Sequence, residues 1–135
     1  MSHPDDGPPR SPADAGPRTI LLVEDERPLR ELLRRTLVRE GYDVLVAADG
    51  AQGVGVAGEP GRRIHLLVTD VAMPVMSGHE LAERFRALQP GVPILFISGF
   101  PGRANGVKLR PGESFLPKPF ALAMFLQKVR DLLGR

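Results

Sequence analysis

Three carboxylates, a hydroxyl and an ammonium group follow the short apolar runs of this sequence, close to where each run ends. In chain order they are Glu24 and Asp25, then Asp70, Ser98 and Lys118. Carboxylates within a few ångströms of one another repel and raise each other's pKa unless they share a cation. Mg²⁺ suits such a group because it prefers oxygen ligands, and no His or Cys follows these runs to favour zinc. The residues therefore predict a magnesium site where a carboxylate attacks a phosphoryl group.

The apolar runs are typical of strands, and they alternate with helical patterns. The five predicted strands are Thr19–Glu24, Tyr42–Ala47, Ile64–Asp70, Pro93–Ser98 and Ser114–Leu116. Continuous apolar runs favour strands covered on both faces. The alternation predicts an α/β fold with a doubly wound parallel sheet of five strands and helices on both faces. Ligands of such sheets bind beyond the carboxyl ends of the strands, where the polar residues above converge.

The helices between these strands have signals of unequal strength. Apolar stripes at helical spacing predict three of them, within Leu29–Leu37, Leu81–Leu88 and Leu122–Leu133. Ser77 and Glu80 form a capping box before the middle one. The helix predicted at Asp49–Gly58 contains four glycines, each costing up to about 1 kcal/mol relative to alanine, so we expect it to be weak or frayed. The Gly- and Pro-rich segment Phe100–Pro111 predicts at most a short, mobile helix.

The composition of the chain restricts the classes of protein to which it can belong. The chain has 135 residues, which suits one domain with its own core, and its lack of cysteine excludes disulfide scaffolds, thiolate metal sites and cysteine nucleophiles. A net charge of +2 does not suggest nucleic-acid binding. No apolar run is long enough for a membrane span, and no signal peptide is evident, so we expect a cytoplasmic protein. Residues 1–18 hold five prolines and no valine, isoleucine, leucine or aromatic residue, which predicts a disordered leader before a domain at 19–135.

Four segments together resemble the receiver domain of two-component response regulators, the CheY-like family. They are Leu22–Glu26 (LVEDE), Asp70–Gly78 (DVAMPVMSG), Phe96–Gly99 (FISG) and Leu116–Phe120 (LPKPF). The motif D-x-x-M-P-x-M-x-G followed by a distant K-P is a specific combination. The resemblance spans Thr19–Leu133 and implies the strand order 2-1-3-4-5. The S-G after the fourth strand and the L-P-K-P-F segment are most similar to receivers associated with hybrid histidine kinases.

The resemblance implies a role for each polar residue at the site. Asp70 becomes the phosphoacceptor, and Asp25, Asp70 and the backbone carbonyl of Ala72 become direct Mg²⁺ ligands. Glu24 acts mainly through a metal-bound water. Lys118 holds a phosphoryl oxygen and joins the next residue through a cis peptide bond.

Two further residues are implied to respond to phosphorylation. Ser98 is the hydroxyl that swings toward the phosphoryl group, where threonine is commoner in the family. Phe115 is the aromatic residue that follows this movement, and it lacks the hydroxyl of a tyrosine. The cis bond to Pro119 is implied to aim the lysine.

The implied function is a signalling switch that takes a phosphoryl group from a histidine kinase or phosphotransfer protein. It hydrolyses its own acyl phosphate slowly, turns over no separate substrate, and changes its contacts with a downstream protein. Neither nucleic acid nor membrane is an expected partner. A constitutive interaction module on the same fold is the alternative. A phosphatase or nucleotide enzyme is disfavoured because E-D-E-R-P, not a Gly-rich phosphate loop, follows the first strand. Phosphorylation-dependent dimerisation, and the choice between a single-domain regulator and part of a longer protein, stay open.

Overall fold

The computed structural model describes residues 16–99 and 109–134. Its centre is a parallel sheet of five strands in the order β2-β1-β3-β4-β5. The strands are β1 (Thr19–Val23), β2 (Asp43–Ala47), β3 (Leu66–Asp70), β4 (Ile94–Ser98) and β5 (Glu113–Pro117). The expected doubly wound sheet and its strand order are confirmed, and the predicted strand ends differ from these by no more than two residues.

Two pairs of helices cover the two faces of the sheet. The helices are α1 (Arg27–Arg39), α2 (Gly50–Ala57), α3 (Gly78–Leu88) and α4 (Leu122–Leu132). Side chains of α1 and α4 pack with Ile20 and Leu22 on one face. Side chains of α2 and α3 pack with Leu21 and Val23 on the other. Alternate residues of β1 thus enter opposite cores, which explains why this strand is an uninterrupted apolar run.

The glycines of α2 allow it to lie close to its neighbours. A Cβ atom on Gly50 would lie 2.7 Å from Sδ of Met76, and one on Gly53 would lie 3.0 Å from Cγ2 of Val23. The Asp49 side chain caps the helix by accepting from the backbone N–H of Gln52 at 2.8 Å. Helix propensity alone predicted a weak helix here, whereas the structure has eight helical residues whose glycines permit close packing.

Two predictions lie partly outside the described residues. The leader expected at 1–18 is described only from residue 16, and the short helix expected in Phe100–Pro111 is described only from residue 109. Within the part that is described, no helix has the length and apolar character needed to cross a membrane.

Candidate functional site

Three carboxylates and one ammonium group meet at the carboxyl edge of the sheet. Carboxylate oxygens of Glu24, Asp25 and Asp70 all lie within 4.8 Å of one another. The Nζ atom of Lys118 lies 3.3 Å from Oδ2 of Asp70 and 3.5 Å from Oε1 of Glu24. Glu24 and Asp70 are buried, at 1% and 5% exposure. The four residues come from the ends of three different strands, so the parallel register of the sheet is what brings them together.

The backbone after β1 turns so that the side chain of Glu24 points into the cluster. The N–H of Glu24 donates to the carbonyl of Ala47 at 3.2 Å, which continues the pairing with β2 for one more residue. Its Oε2 accepts from the backbone N–H of Glu26 at 3.0 Å, and its carbonyl accepts from Nη1 of Arg30 at 2.8 Å. The carboxylate is therefore held at both its side chain and its backbone.

The chain after Asp70 folds back onto the backbone of that residue. The N–H of Gly78 donates to the carbonyl of Val71 at 2.8 Å, and a Cβ atom on Gly78 would lie only 2.3 Å from the carbonyl oxygen of Asp70. Only glycine fits at this approach. The Ser77–Glu80 capping box is present and starts α3 at this glycine. The loop that carries Ala72 is therefore closed tightly against the end of β3.

Ser98 and Lys118 are joined through their backbones. The N–H of Lys118 donates to the carbonyl of Ser98 at 2.7 Å, and the bond from Lys118 to Pro119 is cis. Ser98 is buried at the end of β4. Phe115 pairs in register with Phe96, and its half-buried side chain packs with the core on the α2–α3 face. The structure thus places Ser98 at the carboxyl edge of the sheet and the Phe115 side chain against the α2–α3 core.

The electrostatics of the cluster show an excess of negative charge. Burial raises the pKa of Glu24 to about 7, and Asp70 adds to this effect. Burial also raises the pKa of Asp70, while the charge of Lys118 opposes the rise. Burial would lower the pKa of Lys118, but Glu24 and Asp70 together outweigh it and raise that pKa. Since one ammonium group faces three carboxylates, a further cation at this edge is favourable.

The donor atoms at the cluster fit a divalent metal ion. Oδ1 of Asp25 and Oε1 of Glu24 are buried and accept no hydrogen bond in the described part of the chain, although Oε1 of Glu24 also lies 3.5 Å from the Lys118 ammonium group. A buried polar atom without a partner is costly, and a cation satisfies an oxygen of this kind. The side-chain ligands are all carboxylate oxygens, which suits Mg²⁺.

Two neighbours of the cluster, Glu26 and Arg30, were not predicted from the sequence. Oε1 of Glu26 lies 3.7 Å from Nζ of Lys118. Arg30 lies one turn into α1, where its guanidinium reaches the carbonyl of Glu24. The E-D-E triplet after β1 was a signal for Glu26, whereas nothing in the sequence distinguished Arg30 from the other arginines of α1.

An open cavity of about 330 Å³ lies beside Asp25. It lies between the start of α2 and the loop after β3, and Asp49, Met76 and Val75 also line it. Val75 is fully exposed and has a φ of 69°, which is unusual for a β-branched residue. Of the three carboxylates in the cluster, Asp25 is the one that lines this cavity.

Comparison with known proteins agrees with this geometry. The family model described as "response regulator receiver domain" matches residues 20–130. The chain is 36% identical over 124 residues to the sensor kinase CckA of Brucella abortus, covering 90% of this chain and 13% of that protein. It is 37% identical over 121 residues to the response regulator MprA of a Mycobacterium species, covering 88% of this chain and 52% of that one. The chain thus spans about half, or much less, of the length of these relatives.

Solved structures give the same result. The receiver domain of the hybrid histidine kinase CckA superposes with a TM-score of 0.75 at 36% identity, covering 85% of this chain and 98% of that one. A response regulator receiver protein from Sinorhizobium medicae superposes with a TM-score of 0.79 at 30% identity, covering 87% and 95%.

Proposed function

Because the chain belongs to the response regulator receiver domain family, we propose that it is a phosphorylation-operated switch with Asp70 as the phosphoacceptor. One observation carries the proposal: the buried Asp70 carboxylate lies among two further carboxylates and 3.3 Å from the Lys118 ammonium group. An acyl phosphate forms where a carboxylate is held as an anion and the charge of the incoming phosphoryl group is compensated.

Transfer from a phosphohistidine needs Asp70 in its anionic form. A carboxylate oxygen of Asp70 attacks phosphorus, the new O–P bond forms, and the P–N bond breaks with its electron pair left on the imidazole. Burial raises the pKa of Asp70, and Lys118 opposes that rise, so the lysine favours the anion that reacts. The same ammonium group is close enough to pair with a phosphoryl oxygen once the bond has formed.

The metal ligands in this proposal are those expected from the resemblance. Asp25 and Asp70 bind Mg²⁺ through carboxylate oxygens, the Ala72 backbone carbonyl supplies a third ligand, and Glu24 acts through water. When bound, Mg²⁺ neutralises negative charge on the phosphoryl oxygens. The buried oxygens of Glu24 and Asp25 that accept no hydrogen bond support this assignment.

The response to phosphorylation involves Ser98 and Phe115. The phosphoryl group adds about −1.5 to −2 of charge at pH 7 beside Lys118. Ser98 moves toward the added oxygens, and Phe115 follows into the space beside β4. Because Phe115 already packs with the α2–α3 core, this movement alters the surface next to β5 and so the partner that the domain prefers.

The proposed partners follow from the relatives and from the chemistry. A histidine kinase or phosphotransfer protein donates the phosphoryl group, and a downstream protein reads the altered surface. The match to a receiver of a hybrid histidine kinase supports a place in a phosphorelay. We further propose that residues 19–135 form the receiver domain, that residues 1–18 are a leader, and that the protein acts in the cytoplasm.

Intact mass spectrometry after incubation with acetyl phosphate and Mg²⁺ tests this function. The wild type gains one phosphoryl group, and EDTA prevents the gain. Asp70→Asn does not gain it, whereas the matched control Asp43→Asn, at an exposed position of β2, behaves as the wild type. If folded wild-type protein takes up no phosphoryl group from acetyl phosphate or phosphoramidate, the switch is refuted and the constitutive interaction module becomes the better account.

A further inference from the structure

A fourth carboxylate, that of Glu26, lies beside the acidic cluster and has no role in the chemistry proposed above. Its Oε1 lies 3.7 Å from Nζ of Lys118, and its side chain is 66% exposed. The Lys118 side chain is only 20% exposed, and its Nζ also lies 3.3 Å from Oδ2 of Asp70. Glu26 therefore shares one ammonium group with the reacting carboxylate, and it does so from an exposed position.

The start of α1 does not account for the Glu26 side chain. Glu26 is the N-cap residue of this helix, but its carboxylate accepts no hydrogen bond from the first turn, and the usual N-cap residues have shorter side chains. Its backbone is held separately, since its N–H donates to Oε2 of Glu24 at 3.0 Å and its carbonyl accepts from the N–H of Arg30 at 2.9 Å. The carboxylate is thus placed near Lys118 without serving the helix. An exposed ion pair adds little to stability, so the consequence of this contact lies in the charge that it brings to the site.

The charge of Glu26 is close to the position that an incoming phosphoryl group must take. Oε1 of Glu26 and Oδ2 of Asp70 lie 3.7 and 3.3 Å from the same nitrogen, so they are no farther apart than these two distances combined. Across about 7 Å at the dielectric constant of water, repulsion by one unit charge slows transfer about threefold for each negative charge on the donor. Because Glu26 is exposed, dissolved salt weakens this repulsion.

From these contacts we infer that Glu26 is a specificity-determining residue that selects phosphodonors by their charge. The inference rests on the proposed phosphorylation of Asp70. Glu26 repels a donor with two negative charges more strongly than a donor with one. It also pairs with the Lys118 ammonium group, which the phosphoryl oxygens need. Donors whose leaving group is a protonated nitrogen are therefore favoured over acyl phosphates.

Two small donors of the same phosphoryl group differ in this charge. Acetyl phosphate is a dianion at neutral pH, and its P–O bond breaks with the electron pair left on acetate. Phosphoramidate is a zwitterion with one net negative charge, and its P–N bond breaks with the electron pair left on nitrogen, which departs as ammonia. In both reactions a carboxylate oxygen of Asp70 forms the new bond to phosphorus. The two donors therefore vary the charge of the donor while the acceptor stays the same.

Initial rates of phosphorylation of the full chain test the inference, measured by intact mass spectrometry with Mg²⁺ and each donor in turn at neutral pH and low ionic strength. Glu26→Gln removes the charge and keeps the length of the side chain. We expect this variant to react about tenfold faster than the wild type with acetyl phosphate and about threefold faster with phosphoramidate. Both gains should shrink as salt is added, and Glu26→Asp, which keeps the charge, should stay within about twofold of the wild type.

Glu40→Gln is the matched control, because it changes the net charge equally at the other end of α1, where Glu40 lies 3.9 Å from Arg130. Its rates should equal those of the wild type. Unchanged or lower rates for Glu26→Gln overturn the inference. Equal acceleration by Glu26→Gln and Glu40→Gln would show only an effect of net charge, and equal acceleration with both donors would exclude discrimination by donor charge, so either result also overturns it. No uptake by the wild type from either donor would instead refute the proposed function on which the inference rests.

Discussion

Replacing Glu24 with glutamine should stabilise the metal-free protein at alkaline pH. Burial raises the pKa of Glu24 from 4.5 to about 7, so the folded state holds a proton that the unfolded chain releases between these values. Stability from this group is present below about pH 4.5 and is lost as the pH rises through 7. Because the folded and unfolded states differ in these two pKa values, the free energy of unfolding falls by about 2 kcal/mol between about pH 5.5 and 8. Glu24→Gln removes this loss.

Urea denaturation in EDTA at the two pH values measures the effect. The raised pKa of Asp70 acts in the same direction in both proteins, so the difference between their pH dependences reports Glu24. The glutamine Oε1 still accepts from the N–H of Glu26, which preserves the turn. Excess Mg²⁺ at about pH 8 should stabilise the wild type more than Glu24→Gln. If the free energy of unfolding depends equally on pH in wild type and variant, burial of this carboxylate does not destabilise the metal-free protein.

Three further predictions concern the surroundings of the site. Gly50→Ala should lower the free energy of unfolding, measured by urea denaturation, by about 1–3 kcal/mol, because the new Cβ atom would clash with Met76. Adding Met76→Ala should recover most of this loss, and no recovery would exclude the clash as its cause. Val75→Gly should raise the free energy of unfolding by about 1 kcal/mol, because it relieves a positive φ; a lower free energy of unfolding would contradict this. Arg86→Met should lower the free energy of unfolding by about 3 kcal/mol, because the buried Glu113 carboxylate loses its ion pair and still accepts from the backbone N–H of Arg110. Adding Glu113→Gln should recover part of the loss; an additive loss would argue against the pair.

The sheet was predictable because its three central strands, β1, β3 and β4, are buried on both faces. The runs that form β1, β3 and β4 contain almost only apolar residues, and each ends within a residue of a polar side chain at the carboxyl edge. Parallel topology then requires those side chains to meet. Strand order came from the resemblance, because apolar patterns do not specify which strands are neighbours.

The glycine-rich helix α2 was harder to predict. Propensity counts each glycine as a cost, but the close contacts of Gly50 and Gly53 depend on Met76 and Val23, which are distant in sequence. The pair between Arg86 and Glu113 was missed for the same reason, since 27 residues separate them. Features that arise from tertiary contacts leave no local signal.

Mapping the modified residue tests the central claim, that Asp70 accepts the phosphoryl group, most directly. After reaction with acetyl phosphate and Mg²⁺, borohydride delivers one hydride to the acyl carbon and phosphate leaves. A second hydride then reduces the resulting aldehyde to an alcohol, which converts aspartyl phosphate into homoserine. Trypsin then releases the peptide that follows Arg63 and ends at Arg84, in which Asp70 is the single aspartate. We expect homoserine in place of Asp70 in that peptide, and none when Mg²⁺ is removed. Homoserine at another aspartate, or equal labelling without metal, would contradict it.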